Sequence, residues 1–309
     1  MLNILFAAQN ARWPQYQAPL TQALDALGLA YDLSCTHPPQ TVDYIVYAPN
    51  SDIQDFTPFT RLKAVLNLWA GVEAIAPNPT LTVPLTRMVD HGLRQGMIEW
   101  VSGHVLRYHL DMDTHIHGQD GVWRRGVPPL AEDRKVTILG LGALGLACAN
   151  SLRQLGFDIA GWSRTQKTGL PFRAFSGTDG LATALSRSEI LVLLLPSTPM
   201  TQNLINADSL STLPRGARII NPGRGPLIDD AALLAALNAE HIAHATLDVF
   251  RTEPLPADDP YWRHPNVTVT PHIASETRPA SASKVIAENI HRNETGQPLL
   301  YVVDRAAGY

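Results

Sequence analysis

The sequence predicts an α/β protein built from two doubly wound parallel-sheet domains, and three observations predict it. Apolar runs of strand length alternate with stretches of helical period along most of the 309 residues, which is the rhythm of βαβ units. The rhythm runs twice, with a loop rich in Gly, His and Pro at about 114–129 between the two series. The second series opens on a strand followed at once by G-x-G-x-x-G and a helical run, the context in which that glycine pattern carries meaning.

Composition sets the class. Hydrophobic residues at 45% and charged residues at 17% fit a globular chain with sizeable cores. A net charge of -4 offers no electrostatic footprint for nucleic acid or an anionic membrane. Cys35 and Cys148, the two cysteines, lie far apart without a CxxC partner. That argues against a Cys-based zinc site or a disulfide framework and fits a reducing, cytoplasmic compartment. Residues 1–6 are apolar but short and lack a basic leader, so they read as a first strand rather than a targeting segment. No apolar run approaches the roughly 18 residues of a membrane span.

In the first series, strands are expected at 3–8, 31–35, 44–48, 64–69 and 83–88, with a helix at about 16–27 ended by Gly28. A longer helix is expected over about 94–112, where Met97, Trp100, Val101, His104, Val105 and Tyr108 recur at helical spacing. In the second series, strands are expected at 135–139, 158–162, 190–195, 218–220, 245–249 and 267–270, with helices between several of them. A last helix, about 277–293, follows the second series. This order implies a discontinuous layout. Residues 1–95 with 277–309 would form one domain and 96–276 a dinucleotide-binding domain, with a ligand cleft between them.

The strand Lys135-Val-Thr-Ile-Leu leads into Gly140-Leu-Gly142-Ala143-Leu144-Gly145 and then a helix. Gly140 would permit the tight turn, Gly142 the approach of a pyrophosphate, and Gly145 close packing of helix on strand. The helix start adds free N–H groups and a positive dipole end. A Rossmann-type cofactor site follows. About 20 residues on, where NAD-preferring sites carry Asp or Glu, the chain has Ser163, Arg164 and Thr165 with Lys167 close by. Arg can grip a 2′-phosphate that a carboxylate would repel, so NADPH is expected, with NADH accepted more weakly.

Three later segments end at predicted strand termini, where open α/β sheets bind ligands. They are Asn221-Pro222-Gly-Arg224-Gly225, Leu247-Asp248-Val-Phe-Arg-Thr-Glu253-Pro254-Leu255 and Thr270-Pro271-His272-Ile-Ala274. With the fingerprint, these segments resemble the D-2-hydroxyacid dehydrogenase family, from about Val65 onward and most strongly over 135–275. Pro254-Leu-Pro256, Trp262-x-His264-Pro265, Thr277-Arg278-Pro279 and the ending Val303-Asp304-Arg305-Ala-Ala-Gly308-Tyr309 are similar to its glyoxylate/hydroxypyruvate reductase A branch.

The resemblance implies a flavodoxin-like substrate domain beside the Rossmann domain, a homodimer, and Arg224, Glu253 and His272 as the catalytic set. The chemistry suits them. Arg224 can bind a 2-keto acid's carboxylate and polarise its carbonyl. His272 can donate the proton, with Glu253 holding the ring and favouring its charged form. Trp69-Ala70-Gly71-Val-Glu73 matches the family's substrate loop, with Ala70 and Gly71 meeting the carboxylate. Two residues depart from the pattern: Trp69 stands for a small residue and Glu73 for Asp. Core packing is the expected role of Trp69, with a narrowed pocket as the alternative, while Arg87 and Tyr47 are read as facing the cleft or as structural residues. The expected cofactor contacts are Gly140, Gly142, Ala143, Leu144, Gly145, Ser163, Arg164, Thr165, Lys167, Pro196, Pro222 and Asp248, the last through the nicotinamide carboxamide.

The pair His115 and His117 reads as part of a solvated loop, not a metal site, and Cys148 as a packing residue. The chain's end soon after the last helix leaves no room for the regulatory domain of a phosphoglycerate dehydrogenase. Two alternatives stay open: a dehydrogenase of larger 2-keto acids, and a non-catalytic dinucleotide sensor on the same scaffold.

Overall fold

In the computed structural model, which describes residues 1–308, alternate residues of each central strand enter opposite cores. In the first unit, Met1–Leu93 with the segment from Glu276 onward, Ile4 and Phe6 face one core while Leu5 and Ala7 face the other. Burial of both faces is what a parallel sheet requires, because crossover connections lay chain over each side. The strands are β1 (Leu2–Ala7), β2 (Tyr31–Ser34), β3 (Tyr44–Tyr47), β4 (Ala64–Asn67) and β5 (Leu85–Thr86). They pair in parallel in the order β2-β1-β3-β4-β5, the flavodoxin-like order.

Two helices cover one face of this sheet. The Trp13–Ala26 helix buries Tyr16, Leu20 and Leu24 at i, i+4, i+8, and the C-terminal Pro279–Glu294 helix buries Ala282, Ile286, Ala287 and Ile290 in the same core. Polar contacts fix the second helix: Glu294 accepts from the Tyr44 hydroxyl at 2.5 Å and from Lys63 Nζ at 2.7 Å. The first helix starts three residues earlier than periodicity predicts because Pro14 sits in its first turn. The fifth strand is shorter than expected, two residues in place of six. Tyr309, the end of the 303–309 motif, lies outside the described residues.

The second unit, Arg94–Ser275, holds β6 (Lys135–Leu139), β7 (Asp158–Ser163), β8 (Arg173–Ser176), β9 (Ile190–Leu193), β10 (Ala217–Asn221), β11 (Ile242–Leu247) and β12 (Val267–Val269). All pair in parallel in the order β12-β11-β10-β9-β6-β7-β8. The chain therefore builds outward from β6 to β8, then returns to β9 and builds the other way. That reversal is the switch point at which doubly wound sheets bind ligands. Helices lie on both faces: His91–His109 and Ala143–Gln154 supply one core, Gly177–Ser186 and Asp230–Asn238 the other.

Two elements of this unit were not anticipated from the sequence. β8 was not anticipated, because this edge strand is mostly half-buried and carries no apolar run. A short helix, Met112–His117, occupies the start of the expected loop and carries His115 and His117 on its exposed surface. Among the described residues, no group of three or more His, Cys, Asp or Glu is placed to hold a metal. No helix among them is long and apolar enough to cross a membrane.

The core of this unit carries buried polar groups. The Tyr108 hydroxyl lies 2.8 Å from His244 Nδ1 and 2.6 Å from Thr246 Oγ1. Burial, with Arg107 nearby, pushes His104 and His244 down from near 6.5 to about 4. Burial likewise pushes the Cys148 thiol up to about 12, as befits a packing residue. Between pH 6.5 and 4 the unfolded chain binds protons at both histidines while the folded chain does not, so folding stability falls as pH drops through that window. Denaturant unfolding at pH 7 and pH 5 should show this loss. The His244→Asn variant should flatten part of it; an unchanged pH dependence would refute the assignment.

Candidate active site

The glycine loop is shaped by backbone contacts that leave no room for side chains. A Cβ on Gly140, which has φ +105°, would stand 2.4 Å from the Leu194 carbonyl oxygen, where the chains after β6 and β9 part at the switch point. A Cβ on Gly145 would lie 1.8 Å from the Gly140 carbonyl oxygen, so glycine seats the helix on its strand. At Gly142 a Cβ would meet nothing within 4 Å. It is the helix N-cap, and no side chain caps the helix there. Open space beside uncapped N–H groups fits a dinucleotide's phosphates. Sequence reasoning missed Gly161, whose absent side chain makes room for Leu141.

At the end of β7, the Ser163 hydroxyl donates to the Thr165 carbonyl at 2.9 Å and folds the loop back on itself. Gln166 ties it to the edge strand, accepting from the Ser176 hydroxyl at 2.8 Å. Arg164, Thr165 and Lys167 are all exposed on this loop. No acidic residue lies between Asp158 and Asp179.

Three further loops leave β10, β11 and β12 at the same end of the sheet. Asn221 closes β10 and is fully buried. Its side-chain amide donates to the Arg224 carbonyl at 3.0 Å while its oxygen accepts from Gly223 N–H at 3.1 Å. A Cβ on Gly225 would stand 2.0 Å from the carbonyl carbon of Phe250, so the Arg224 loop lies directly against the backbone of the Glu253 loop. Arg251 anchors the latter loop through Asp230 at 2.7 Å, and it also donates to Asn203 and the Ile228 carbonyl. Neither Asn221 nor Arg251 was anticipated as a loop support.

Glu253 then faces two donors. Its Oε1 accepts from Phe250 N–H at 2.8 Å, and its Oε2 lies 2.7 Å from His272 Nδ1. The side chains are 35% and 51% exposed, so the pair is open to a substrate with Nε2 of His272 left to present. His272 has φ +53°, a left-handed conformation that costs on the order of 1–3 kcal/mol unless its surroundings hold it. Asp248, fully buried, takes Thr270 Oγ1 at 2.6 Å and the N–H groups of Ile273 and Ala274, both at 2.9 Å.

In the first unit, Asn67 ends β4 and shapes the 69–71 turn by donating to the carbonyls of Trp69 and Gly71 at 2.9 and 3.1 Å. Ala70 and Gly71 are half-buried on this turn. Trp69 is not a core residue as expected; it is 44% exposed. Leu68 takes the buried position instead, and the Trp69 carbonyl, bonded to Met88 N–H and Asn67, fixes the backbone while the indole stays out. Tyr47 also differs from expectation. It is buried against Phe56, and its hydroxyl donates to the Ile53 carbonyl at 3.1 Å, which makes it a packing residue. Arg87 is half-buried after β5, its N–H donating to the Tyr301 carbonyl.

Residues 104–274 match the family model of the D-isomer specific 2-hydroxyacid dehydrogenase NAD binding domain. The chain belongs to the D-2-hydroxyacid dehydrogenase family. Within this family it is 39% identical over 257 residues to a glyoxylate/hydroxypyruvate reductase A of Salmonella typhi, covering 81% of this chain and 82% of the relative. The structure of a family member from Xanthobacter autotrophicus, in complex with NADPH and MES, superposes with a TM-score of 0.92 at 41% identity over 99% of both chains. The NADPH-dependent glyoxylate/hydroxypyruvate reductase of Sinorhizobium meliloti, in complex with NADP and sulfate, gives 0.86 at 31% identity over the full length of both. Family membership makes this chain a 2-hydroxyacid dehydrogenase with a nicotinamide-cofactor domain of the Rossmann type.

The contact at Gly225 is testable. Gly225→Ala should destabilise the folded state by about 1–3 kcal/mol, as overpacking does, read from the denaturation midpoint. It should also part the Arg224 and Glu253 loops and lower turnover in whatever fraction folds. Unchanged stability would refute the close approach.

Proposed function

We propose that the protein is an NADPH-dependent reductase that converts glyoxylate or hydroxypyruvate to the D-2-hydroxy acid. The observation that carries this reading is the His272–Glu253 pair at 2.7 Å beside the Arg224 loop. NADPH when bound supplies hydride to the substrate's carbonyl carbon. Arg224 binds the substrate carboxylate and polarises the carbonyl, stabilising negative charge as it develops on oxygen. His272 holds the transferable proton at Nε2, and Glu253 keeps Nδ1–H engaged, which fixes the ring. Ala70 and Gly71 offer N–H groups to a carboxylate. The glycine loop and helix start receive the phosphates, with Ala143, Leu144, Pro196 and Pro222 among the cofactor's neighbours and Ser163, Arg164, Thr165 and Lys167 around the 2′-phosphate.

The NADPH reading is supported by the acid-free cationic loop after β7 and by the two NADP(H)-bound relatives. The small keto acid is supported by the curated relative and by the Sinorhizobium enzyme. We also place the protein in the cytoplasm as a homodimer. Its two cysteines are unpaired, and Leu110, Met112, Ile116, Val122, Val127 and the 92% exposed Trp123 offer apolar surface to a second copy.

Steady-state assays with NADPH and NADH against glyoxylate, hydroxypyruvate, pyruvate and phenylpyruvate test the reading; tight cofactor binding with no turnover on any of them would discard it. Arg164→Asp should cut the NADPH-to-NADH preference about 10–100-fold, the worth of a charge-assisted contact. His272→Ala should lower kcat about 10²–10⁴-fold with a smaller effect on KM. The donor must be protonated, so activity declines as pH rises. Glu253→Gln, which takes the anionic partner from the ring, should lower kcat by less than His272→Ala does.

A further inference from the structure

We infer that Asp248 is a positioning residue, a buried carboxylate that locks the His272 loop in the conformation presenting the imidazole to Glu253. The inference deepens the reductase reading and rests on it. It differs from the cofactor contact that family resemblance implies for Asp248.

Three observations carry it. The carboxylate has no exposed surface and is occupied from one direction: Oδ1 accepts from Thr270 Oγ1 and Ile273 N–H, and Oδ2 from Ala274 N–H. These donors bracket His272 on both sides. The Asp248 main chain completes the bracket, since its carbonyl accepts the His272 N–H at 2.9 Å. A residue at φ +53° therefore has its own N–H and both following N–H groups bound to one aspartate. Finally, the Asp248 N–H donates to the Asn221 carbonyl at 3.0 Å, and Asn221 holds the Arg224 carbonyl through its side chain. The Arg224 and His272 loops are thus keyed to one buried point. A buried anion satisfied by three short donors is a rigid anchor, and only a carboxylate can accept from all of them; an amide would turn a donor toward a donor.

Asp248→Asn and Thr270→Val test this against the cofactor role. Asp248→Asn should lower kcat about 100-fold, the cost of a misplaced catalytic group, while the NADPH Kd changes less than threefold. Thr270→Val removes one donor and should give a smaller kcat loss with the same split. A rise in the NADPH Kd with kcat retained would overturn the inference in favour of the cofactor contact. Reduced stability with unchanged kcat in the folded protein would overturn it in favour of a purely structural role. If Asp248→Asn does not fold, Thr270→Val decides alone, and parental kinetics there would overturn the inference. Absence of turnover in the parent would sink the reductase reading instead. The His272 imidazole nitrogen shifts, compared between parent and Thr270→Val, would then still report whether the loop is held, and identical shifts would overturn the inference.

Discussion

A parallel sheet delivers the carboxyl ends of its strands to one edge, and in the second unit those ends are held together with no side chains between them. The Gly225 Cα lies against the Phe250 backbone, Gly223 against the Leu193 carbonyl, and Gly140 against the Leu194 carbonyl. A Cβ at any of these points would come within 2.0–2.7 Å of backbone atoms, closer than real Cβ contacts allow, so the backbone would have to move apart. The close approach brings loops bearing Arg224 and Glu253 within reach of one another although 28 residues separate them in sequence. The same economy at Gly145 seats the helix whose first turn faces the switch point. Chemistry at this edge depends on these backbone contacts before it depends on any charged group.

Side chains then do work that glycine cannot. Asn221, Asp248 and Asn67 are each fully buried at a strand end; Asn221 and Asn67 satisfy main-chain groups of the loop that follows, and Asp248 those of the neighbouring loop after β12. A loop lacks the ladder partners of a strand, and its polar groups would otherwise be left unpaired in a dry environment. Short polar residues at strand ends supply those partners and choose one loop shape among several. The left-handed backbone at His272 shows what this achieves, because an isolated histidine would rarely adopt it.

The doubly wound class, the long helices and most strands of both sheets were legible because apolar period and the glycine fingerprint are properties of local sequence. The segments bearing Arg224, Glu253 and His272 were read at strand ends, where the structure also puts them, and it brings Glu253 and His272 into contact. What escaped was set by tertiary surroundings. β8 pairs only at the sheet's edge and needs no apolar run. Trp69 is apolar yet exposed, because burial at a strand's end depends on which neighbour already fills the core, and Leu68 fills it. Tyr47 seemed free to face a ligand, but its hydroxyl finds a carbonyl within the fold. Asn221 and Asn67 left no signal, since one asparagine at a strand's end does not reveal whether it faces water or a backbone.

The histidines show why residue type alone could not locate the site. His244 and His104 lie among apolar neighbours and cationic groups, where taking on a proton costs more than in water; both stay neutral well below pH 6.5. His244 is held beside Tyr108 as an uncharged partner in the core. His272 has the opposite setting: half its surface is open, a carboxylate engages one ring nitrogen, and the other is free of that contact. Proton donation needs an imidazole that can be charged and recharged from solvent while its ring stays fixed. Of these three, only His272 combines access with an acidic partner. The buried network around Asp248 bonds the backbone of this loop from inside, while half of the His272 side chain stays open.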